Sequence, residues 1–281
     1  MKDELREQQR QAWNKFSPGW KKWDSFVIEW LKPIGQELIE ESALEDGFCV
    51  LDMATGTGEP GLTAALKIGS GKVIGVDLAE EMVKIAGQNA EIKGVKNYEA
   101  LTADASALSF EDNYFDAVIC RHGVMFFPDM PDGLKEMARV LKPGRKLALS
   151  AWALPSKNPW VTTIKEVLHK MLDLPSPPAD APGLFRCAQP GTLKKLLEES
   201  GFYDVEESEV AGKINFISAE QYWEFITDVV APIASALSKV DEEAYQKAKQ
   251  AVINEVENKY GKGDVSFDWS SWVASGIKKT N

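Results

Sequence analysis

Histidine and cysteine are scarce in this sequence, with two histidines and three cysteines among 281 residues. The cysteines Cys49, Cys120 and Cys187 form no CxxC pair, and no cluster of histidine and cysteine has the spacing of metal ligands. This scarcity argues against a disulfide-rich scaffold, and we predict no metal. Unpaired thiols within apolar segments are typical of a reducing compartment, so we expect a cytoplasmic protein.

Long apolar runs and an excess of basic residues are also absent. No run is long enough to cross a bilayer, and the stretch MKDELREQQRQAWNKF lacks the apolar segment of a signal peptide. The 43 Asp and Glu residues outnumber the 32 Lys and Arg residues, which gives a net charge of −11. Because an acidic surface repels phosphate backbones and anionic lipids, we predict neither a nucleic-acid nor a membrane partner. A small molecule is the expected partner, and the oligomeric state stays open.

Strands alternate with helices from Phe48 to Trp152. Almost unbroken apolar runs such as FCVLDMA, KVIGVDL and FDAVICRHG are typical of buried strands, and the stretch AEEMVKIAGQNAEIKG between two of them is typical of a helix. This alternation predicts an α/β fold in which a parallel sheet carries helices on both faces. The segment MPDGLKEMARVLKPG is predicted as a helix that ends at its Pro-Gly pair.

Helical segments flank this region. Before it, an aromatic-rich stretch predicts one or two helices, with Pro33 opening the second. After it we expect a helix, a proline-rich loop (PSPPADAPGLF), another helix, two strands (YDVEESEV and KINFIS), helices over 219–237 and 241–260, and a last strand (VSFDWSSWVASGIKK). The prediction is one domain over residues 1–281, made of an N-terminal helical cap (1–44), a core (45–153), helices with a sixth-strand region (154–218), a helical lid (219–262) and the final strand (263–281).

The loop after the first strand carries the spacing Gly56-x-Gly58-x-x-Gly61, which is that of a dinucleotide fingerprint. Glycine lets the chain turn tightly and lets a ligand approach the backbone. A pyrophosphate needs free N–H groups and no nearby anion, but Asp52 lies directly before this turn. A carboxylate there attracts the ammonium and sulfonium groups of S-adenosylmethionine (SAM) instead. The loop therefore favours SAM over a nicotinamide dinucleotide.

The next two strands also end on carboxylates. Asp77 ends VIGVD, 21 residues after Gly56, where a carboxylate can accept hydrogen bonds from both ribose hydroxyls of either cofactor. Asp104 and Ala105 follow the third strand, where a carboxylate can accept from the amino group of adenine. Three strand ends thus offer acceptors for the two halves of an adenosine ligand and its cationic tail.

As an ordered set, the stretches VLDMATGTGEPGL, VIGVDLAEEMVKIA, ADASALSFEDNYFDAVICRHGVMFFPD, EMARVLKPGRKLALSAW and NPW resemble the motifs of class I SAM-dependent methyltransferases. They are similar to the branch that includes the ubiquinone/menaquinone-biosynthesis methyltransferases and many type 11 small-molecule enzymes. The resemblance covers about residues 45–160. It implies a doubly wound, Rossmann-like sheet of seven strands, mostly parallel, with the last strand antiparallel and a helical lid inserted before it.

The resemblance also implies which residues contact SAM and its product, S-adenosylhomocysteine. Carried onto this sequence, they are Asp52, Ala54, Thr55, Gly56 and Gly58 for the methionine part, Asp77 for the ribose, Leu78, Met82, Asp104 and Ala105 for the adenine, and Arg121 beside the ligand after the fourth strand. There are small departures from the family pattern. Ala54 stands where many members have glycine, and Arg145 replaces a common second glycine.

The sequence gives fewer indications of how the methyl acceptor would bind. His122 is the histidine nearest to the strand ends and the candidate general base, although it could equally form a hydrogen-bonded wall of the pocket. The candidate acceptor contacts are Trp20, Met125, Phe126, Trp160 and Trp223. These mostly aromatic residues indicate a small, partly apolar or ring-bearing acceptor, to which the methyl group would be transferred by in-line displacement. Two alternatives remain at this point, an NAD(P)-dependent oxidoreductase and a protein that binds SAM without catalysis.

Overall fold

The computed structural model describes residues 2–172, 178 and 181–280 of the chain. Within these residues the strands are β1 (Cys49–Met53), β2 (Lys72–Asp77), β3 (Tyr98–Thr102), β4 (Phe115–Arg121), β5 (Leu141–Trp152), β6 (Phe202–Phe216) and β7 (Val265–Lys278). They form one seven-stranded sheet in the order β3-β2-β1-β4-β5-β7-β6. Strand β7 runs antiparallel to both of its neighbours, and β1 to β5 pair in parallel. The predicted fold class is confirmed.

Helices cover both faces of this sheet. They are α1 (Lys2–Lys22), α2 (Asp24–Glu41), α3 (Gly61–Lys67), α4 (Glu80–Lys93), α5 (Met130–Val140), α6 (Pro159–Leu172), α7 (Thr192–Glu199), α8 (Ala219–Val229), α9 (Ala231–Leu237) and α10 (Glu242–Tyr260). Because side chains alternate along a strand, Val50 of β1 packs in the apolar cluster under α3 and α4. Its neighbour Leu51 packs in the larger cluster on the opposite face.

Local sequence explains where the helices near the site begin and end. Helix α4 has two glutamates in its first turn, where the helix dipole favours them, and ends at Gly94 in the left-handed conformation. Helix α5 begins at Asp129, whose side chain accepts a hydrogen bond from the Asp132 amide. Both helices start directly after segments that leave the carboxyl edge of the sheet.

The N-terminal cap differs from the prediction at Pro33. This proline lies inside α2 and does not open a helix, so the prediction was wrong there. The break between α1 and α2 falls at Trp23, whose indole N–H donates to Asp228 Oδ2 at 2.8 Å. Helix α1 packs so closely on α8 that a Cβ at Gly19 would lie 2.1 Å from the Asp228 carbonyl oxygen. A tertiary contact therefore sets this boundary, while proline is accommodated within the helix.

Three other boundaries also differ. The LKPG stretch opens β5 and does not end a helix, because residues before a proline favour extended backbone and Leu141 pairs with Phe115. The two strands expected over 203–218 form the single strand β6. The helix expected over 219–237 is divided into α8 and α9 at Val230. The proline-rich loop lies partly outside the described residues.

Candidate functional site

Asp52 lies fully buried at the end of β1. Its Oδ2 accepts hydrogen bonds from Thr55 Oγ1 at 2.5 Å and from the Gly61 amide at 3.1 Å. Thr55 Oγ1 also lies 2.8 Å from Tyr98 Oη, which extends the chain of hydrogen bonds to β3. The other oxygen, Oδ1, is buried and has no partner within the described residues. Burial raises the pKa of Asp52 to about 7.

Two glycines make room for this hydrogen-bond chain. A Cβ at Gly61 would lie 2.5 Å from Asp52 Oδ2, and a Cβ at Gly75 would lie 2.2 Å from Tyr98 Oη. Neither position could carry a side chain without displacing the carboxylate or the phenol. Gly61 and Gly75 are therefore required by close approach, and Tyr98 is a site residue that the sequence analysis missed.

Asp77 lies at the end of β2, beside the same loop. Its Oδ2 accepts from the Gly56 amide at 2.9 Å and its Oδ1 accepts from the Ala79 amide at 2.9 Å. Burial raises the pKa of Asp77 from its ordinary value, and these backbone bonds oppose that rise. One hydrogen bond to each oxygen leaves further lone pairs of the carboxylate for a ligand.

Asp104, after β3, is paired with a residue from the N-terminal helix. Arg6 Nε lies 2.5 Å from Asp104 Oδ2, and the Ser106 amide and hydroxyl both donate to Oδ1 at 2.8 Å. The predicted adenine acceptor therefore already has a cationic partner in α1.

Helix α1 as a whole crosses the carboxyl edge of the sheet. Arg10 Nη1 donates to Glu80 Oε1 at 3.0 Å, and Asn14 Nδ2 donates to Glu80 Oε2 at 2.7 Å. At its start, Lys2 pairs with Asp129 at 2.5 Å. We call α1 the strap. The strap residues that make these contacts are spaced four positions apart, so they share one face of a helix, and this spacing is visible in the sequence. They are Lys2, Arg6, Arg10 and Asn14.

Arg121 ends β4 and points toward α2. Its Nη1 would lie 3.9 Å from a Cβ at Gly35, and Glu59, Asp52 and Asp24 are the carboxylates near enough to raise its pKa. Burial acts in the opposite direction and lowers that pKa overall. Among the described residues, Arg121 has no ion pair within 4.0 Å. The half-buried guanidinium of Arg121 therefore lies near these carboxylates without forming an ion pair with any described residue.

The carboxylates around Arg121 are not equivalent. Glu59 is engaged by Lys93 Nζ at 2.7 Å. Asp24, at the start of α2, accepts from Asn89 Nδ2 at 3.2 Å through Oδ2, while its Oδ1 is buried without a partner in the part of the chain that is described. Asn89 also donates to the Thr57 carbonyl at 2.8 Å, which holds Asp24 against the glycine-rich loop. Asp24 was not predicted, since nothing in its local sequence marks it.

His122 follows Arg121 with a left-handed backbone, at φ 53°. Its amide donates to Ser150 Oγ at 3.1 Å, its Nε2 lies 3.0 Å from Ser271 Oγ, and its ring stacks on Trp152 with centroids 4.1 Å apart. Burial, reinforced by Arg121, holds the pKa of His122 well below its ordinary value. The imidazole is therefore neutral at pH 7.

The remaining predicted residues separate into two groups. Trp20 and Phe126 are half-buried and meet through Trp13, whose ring lies 6.0 Å from Trp20 and 5.1 Å from Phe126. In contrast, the structure places three predicted acceptor contacts in the apolar core, namely Met125, Trp160 and Trp223. Of the predicted cofactor contacts, Met82 is buried, and the half-buried ones include Ala54, Gly56, Leu78 and Ala105.

Two further properties concern the whole described part of the chain. No group of three or more histidine, cysteine, aspartate or glutamate residues within it could hold a metal ion. Nor does any helix in it have both the length and the apolar character needed to cross a membrane.

The fold and the site together are of the methyltransferase type. The strand order is β3-β2-β1-β4-β5-β7-β6, β7 is antiparallel, and β1 ends on an aspartate directly before the glycine-rich loop. A family profile described as "Methyltransferase domain" matches residues 50–144. Demethylmenaquinone methyltransferase of Listeria welshimeri is 31% identical over 166 residues, which are 57% of this chain and 69% of that protein. The chain therefore belongs to the class I SAM-dependent methyltransferases, and SAM is confirmed as the predicted cofactor.

Other similarities are narrower. Demethylmenaquinone methyltransferase of Bacteroides fragilis is 32% identical over 138 residues, so the chain spans about half of that protein, with 49% of this chain and 52% of that one covered. The structure of Haemonchus contortus phosphoethanolamine N-methyltransferase 2 with phosphomonomethylethanolamine and S-adenosylhomocysteine has the same fold. Its TM-score is 0.53 at 18% identity, and 88% of this chain and 52% of that chain are covered.

Proposed function

We propose that this protein transfers the methyl group of SAM to a small, partly apolar or ring-bearing molecule. The observation that carries the proposal is the buried Asp52 carboxylate, whose Oδ1 has no partner among the described residues. An ionised carboxylate in this position is costly unless a cation compensates it. The ammonium of SAM supplies such a cation, whereas a pyrophosphate would add a second anion.

The other cofactor contacts follow the order of the strands. Asp77, held by two backbone amides, would accept hydrogen bonds from the ribose hydroxyls. Asp104, beside the guanidinium of Arg6, would accept a hydrogen bond from the adenine amino group. Thr55, Gly56 and Gly58 would line the methionine part, with Ala54 next to them, and Leu78, Met82 and Ala105 would flank the adenine.

Aromatic residues on the strap and after β4 support an apolar acceptor. Trp13 and Trp20 of α1 and Phe126, which follows β4, form a half-buried aromatic group. The curated relatives carry the name demethylmenaquinone methyltransferase, and a quinone is both ring-bearing and apolar. Met125, Trp160 and Trp223 lie in the apolar core, so they would support the acceptor site only through the residues around them.

We also propose the division into cap (1–44), core (45–153), region 154–218, lid (219–262) and final strand (263–281).

Methyl transfer by in-line displacement makes limited demands on the protein. When bound, SAM supplies an activated methyl group on a sulfonium, so the cofactor carries the difficult chemistry. The chain must align the acceptor atom at about 3–3.5 Å from the methyl carbon and exclude water. The strap covers the strand ends and would exclude water there. Ser271 and Trp152 fix the orientation of the His122 ring, and its lowered pKa makes it a weak proton acceptor, so we propose that it forms a wall of the pocket.

Titration calorimetry of the purified protein with S-adenosylhomocysteine, NADH and NADPH tests the proposal. We expect one-site binding of S-adenosylhomocysteine alone. Asp77→Ala should weaken that binding by about 10- to 100-fold, because it removes charge-assisted hydrogen bonds to the ligand. Asp264→Asn, at an exposed carboxylate near the start of β7, is the matched control and should leave affinity unchanged.

Two results would contradict the proposal. Binding of a nicotinamide dinucleotide in place of S-adenosylhomocysteine would mean that the glycine-rich loop holds a pyrophosphate. Binding of S-adenosylhomocysteine without methyl transfer from labelled SAM to any quinone or other ring-bearing acceptor would favour a binding protein over an enzyme.

A further inference from the structure

We propose that Tyr98 is a positioning residue that acts on Asp52 through Thr55: its phenol donates to the Thr55 hydroxyl, and that hydroxyl donates to the carboxylate. This inference rests on the proposed function and adds a residue at the start of β3, the opposite end of that strand from Asp104. Two donors in series favour the ionised form of the carboxylate, which is the form that binds a cationic ligand.

The contacts give this chain of hydrogen bonds a direction. Thr55 Oγ1 lies 2.8 Å from Tyr98 Oη and 2.5 Å from Asp52 Oδ2. The threonine hydroxyl has one hydrogen, and a carboxylate oxygen is a stronger acceptor than a phenol, so that hydrogen goes to Asp52. Tyr98 then donates to Thr55, and its hydroxyl has no other hydrogen-bond partner among the described residues. Burial raises the pKa of Tyr98 well above its ordinary value, so the phenol stays protonated.

The residues around the two hydroxyls hold them in place. The Thr55 amide donates to the Val76 carbonyl at 2.9 Å, which fixes the threonine against β2. Both side chains are buried, so neither hydroxyl is free to bond to bulk water instead. The phenol reaches Thr55 across Gly75, where a Cβ would lie 2.2 Å from Tyr98 Oη and 2.8 Å from Thr55 Oγ1. A side chain at Gly75 would therefore occupy the space of this hydrogen bond.

The carboxylate is balanced between its two protonation states. Burial raises the pKa of Asp52 to about 7, and the hydrogen bond from Thr55 opposes this rise. Because this value lies near neutrality, the loss of one donor from the chain shifts the balance toward the protonated form at the pH of an ordinary assay. Other ionisable groups near the chain lie on the loop, β2 and β4 and would be the same in wild type and variant, namely Glu59, Asp77, Cys120 and Arg121.

Calorimetric titration of the full chain at intervals from pH 6 to pH 9 tests this inference. One ligand is S-adenosylhomocysteine, which carries the ammonium, and the other is 5′-methylthioadenosine, which has no amino-acid end. The proteins are the wild type, Tyr98→Phe and Tyr203→Phe. The last of these removes the hydroxyl of an exposed tyrosine on β6 and is the matched control.

The expected loss depends on pH and on the ligand. Tyr98→Phe should weaken S-adenosylhomocysteine about 3- to 10-fold at pH 6, where binding must first ionise Asp52. The loss should shrink to within about twofold at pH 9, because Asp52 is then ionised in both proteins before the ligand binds. The affinity for 5′-methylthioadenosine should not change at any pH, and Tyr203→Phe should match the wild type with both ligands.

Two substitutions of Thr55 test whether Tyr98 acts through it. Thr55→Val breaks the chain while the phenol remains, so adding Tyr98→Phe to it should change the affinity for S-adenosylhomocysteine at pH 6 by less than about twofold. Thr55→Ser keeps the hydroxyl, so adding Tyr98→Phe to it should cost about as much affinity as it does in the wild type.

Several outcomes would overturn this inference and leave the proposed function standing. A loss that is equal at pH 6 and pH 9, or equal for both ligands, would show that Tyr98 acts by packing alone. An unchanged affinity of Tyr98→Phe at pH 6, or its full loss on top of Thr55→Val, would also overturn it. If Tyr98→Phe does not fold, Thr55→Val alone should show the pH-dependent loss, and a loss independent of pH would have the same meaning. Binding of NADH in place of S-adenosylhomocysteine would instead overturn the proposed function and this inference together.

Discussion

Replacing Asp52 by asparagine should make the unliganded protein more stable while it weakens cofactor binding. Asp52 is fully buried, and its Oδ1 has no partner among the described residues, so the ionised form is unfavourable in the empty site. Asparagine has nearly the same shape and can accept the hydrogen bonds from Thr55 and Gly61. It carries no charge at any pH.

The magnitude follows from the pKa of Asp52, which burial raises from its ordinary value of 3.8 to about 7. Because the pKa is raised in the folded state, the stabilisation belongs to the protonated form. It is fully present below about pH 4 and is lost as the pH rises through about 7. The difference between the two pKa values corresponds to about 4 kcal/mol. The advantage of Asp52→Asn over wild type in free energy of unfolding should therefore grow by about that amount between pH 4 and pH 8.

Urea denaturation of both proteins at intervals from pH 4 to pH 8 measures this difference directly. Asp264→Asn, which neutralises an exposed carboxylate, controls for the general effect of removing one negative charge. A difference between Asp52→Asn and wild type that stays constant over this range within about 1 kcal/mol would refute the reasoning, because it would mean that Asp52 is not destabilised when ionised.

Two further predictions concern other parts of the site. Gly75→Ala should destabilise the protein by roughly 1–3 kcal/mol, because its Cβ would lie 2.2 Å from Tyr98 Oη, whereas Gly87→Ala in α4 meets nothing within 4 Å and should stabilise by about 0.5–1 kcal/mol. Equal melting temperatures for the two variants would contradict this. Arg6→Ala removes the ion pair with Asp104 and should increase amide hydrogen exchange in the first half of α1. Exchange as slow as in the wild type would show that this ion pair does not hold the strap.

Much of the fold was predictable because short stretches of sequence determine its strands and their ends. Buried parallel strands need apolar runs, and a ligand edge needs acceptors where those runs end, so Asp52, Asp77 and Asp104 could be placed at strand ends from the sequence. The errors came where tertiary contacts decide. Pro33 resembles a helix start but lies within α2, and the actual break falls at Trp23, which bonds to Asp228 far along the chain.

The less predictable part of the site depends on which distant residues meet. Arg6 reaches Asp104, and Asp24 is linked through Asn89 to the loop at Thr57, only because two helices fold back across the sheet. A charged residue near the start of a helix is ordinarily solvated, so composition and spacing gave no reason to select Asp24. Its link to the glycine-rich loop through Asn89 depends on packing and not on local sequence.

The position of β7 has a consequence for the order in which the chain can assemble. Among the described strands, β6 pairs only with β7, which follows it in the chain and lies between β5 and β6 in the sheet. During synthesis, strands β1 to β5 can pair as they emerge, but β6 has no neighbour until β7 is made. Until then β5 presents an open edge, which is a template for pairing with another chain. Contacts between strands that are far apart in the sequence, such as those of β5 with β7, also form slowly. The final strand therefore closes the edge at which a nascent or truncated chain would aggregate.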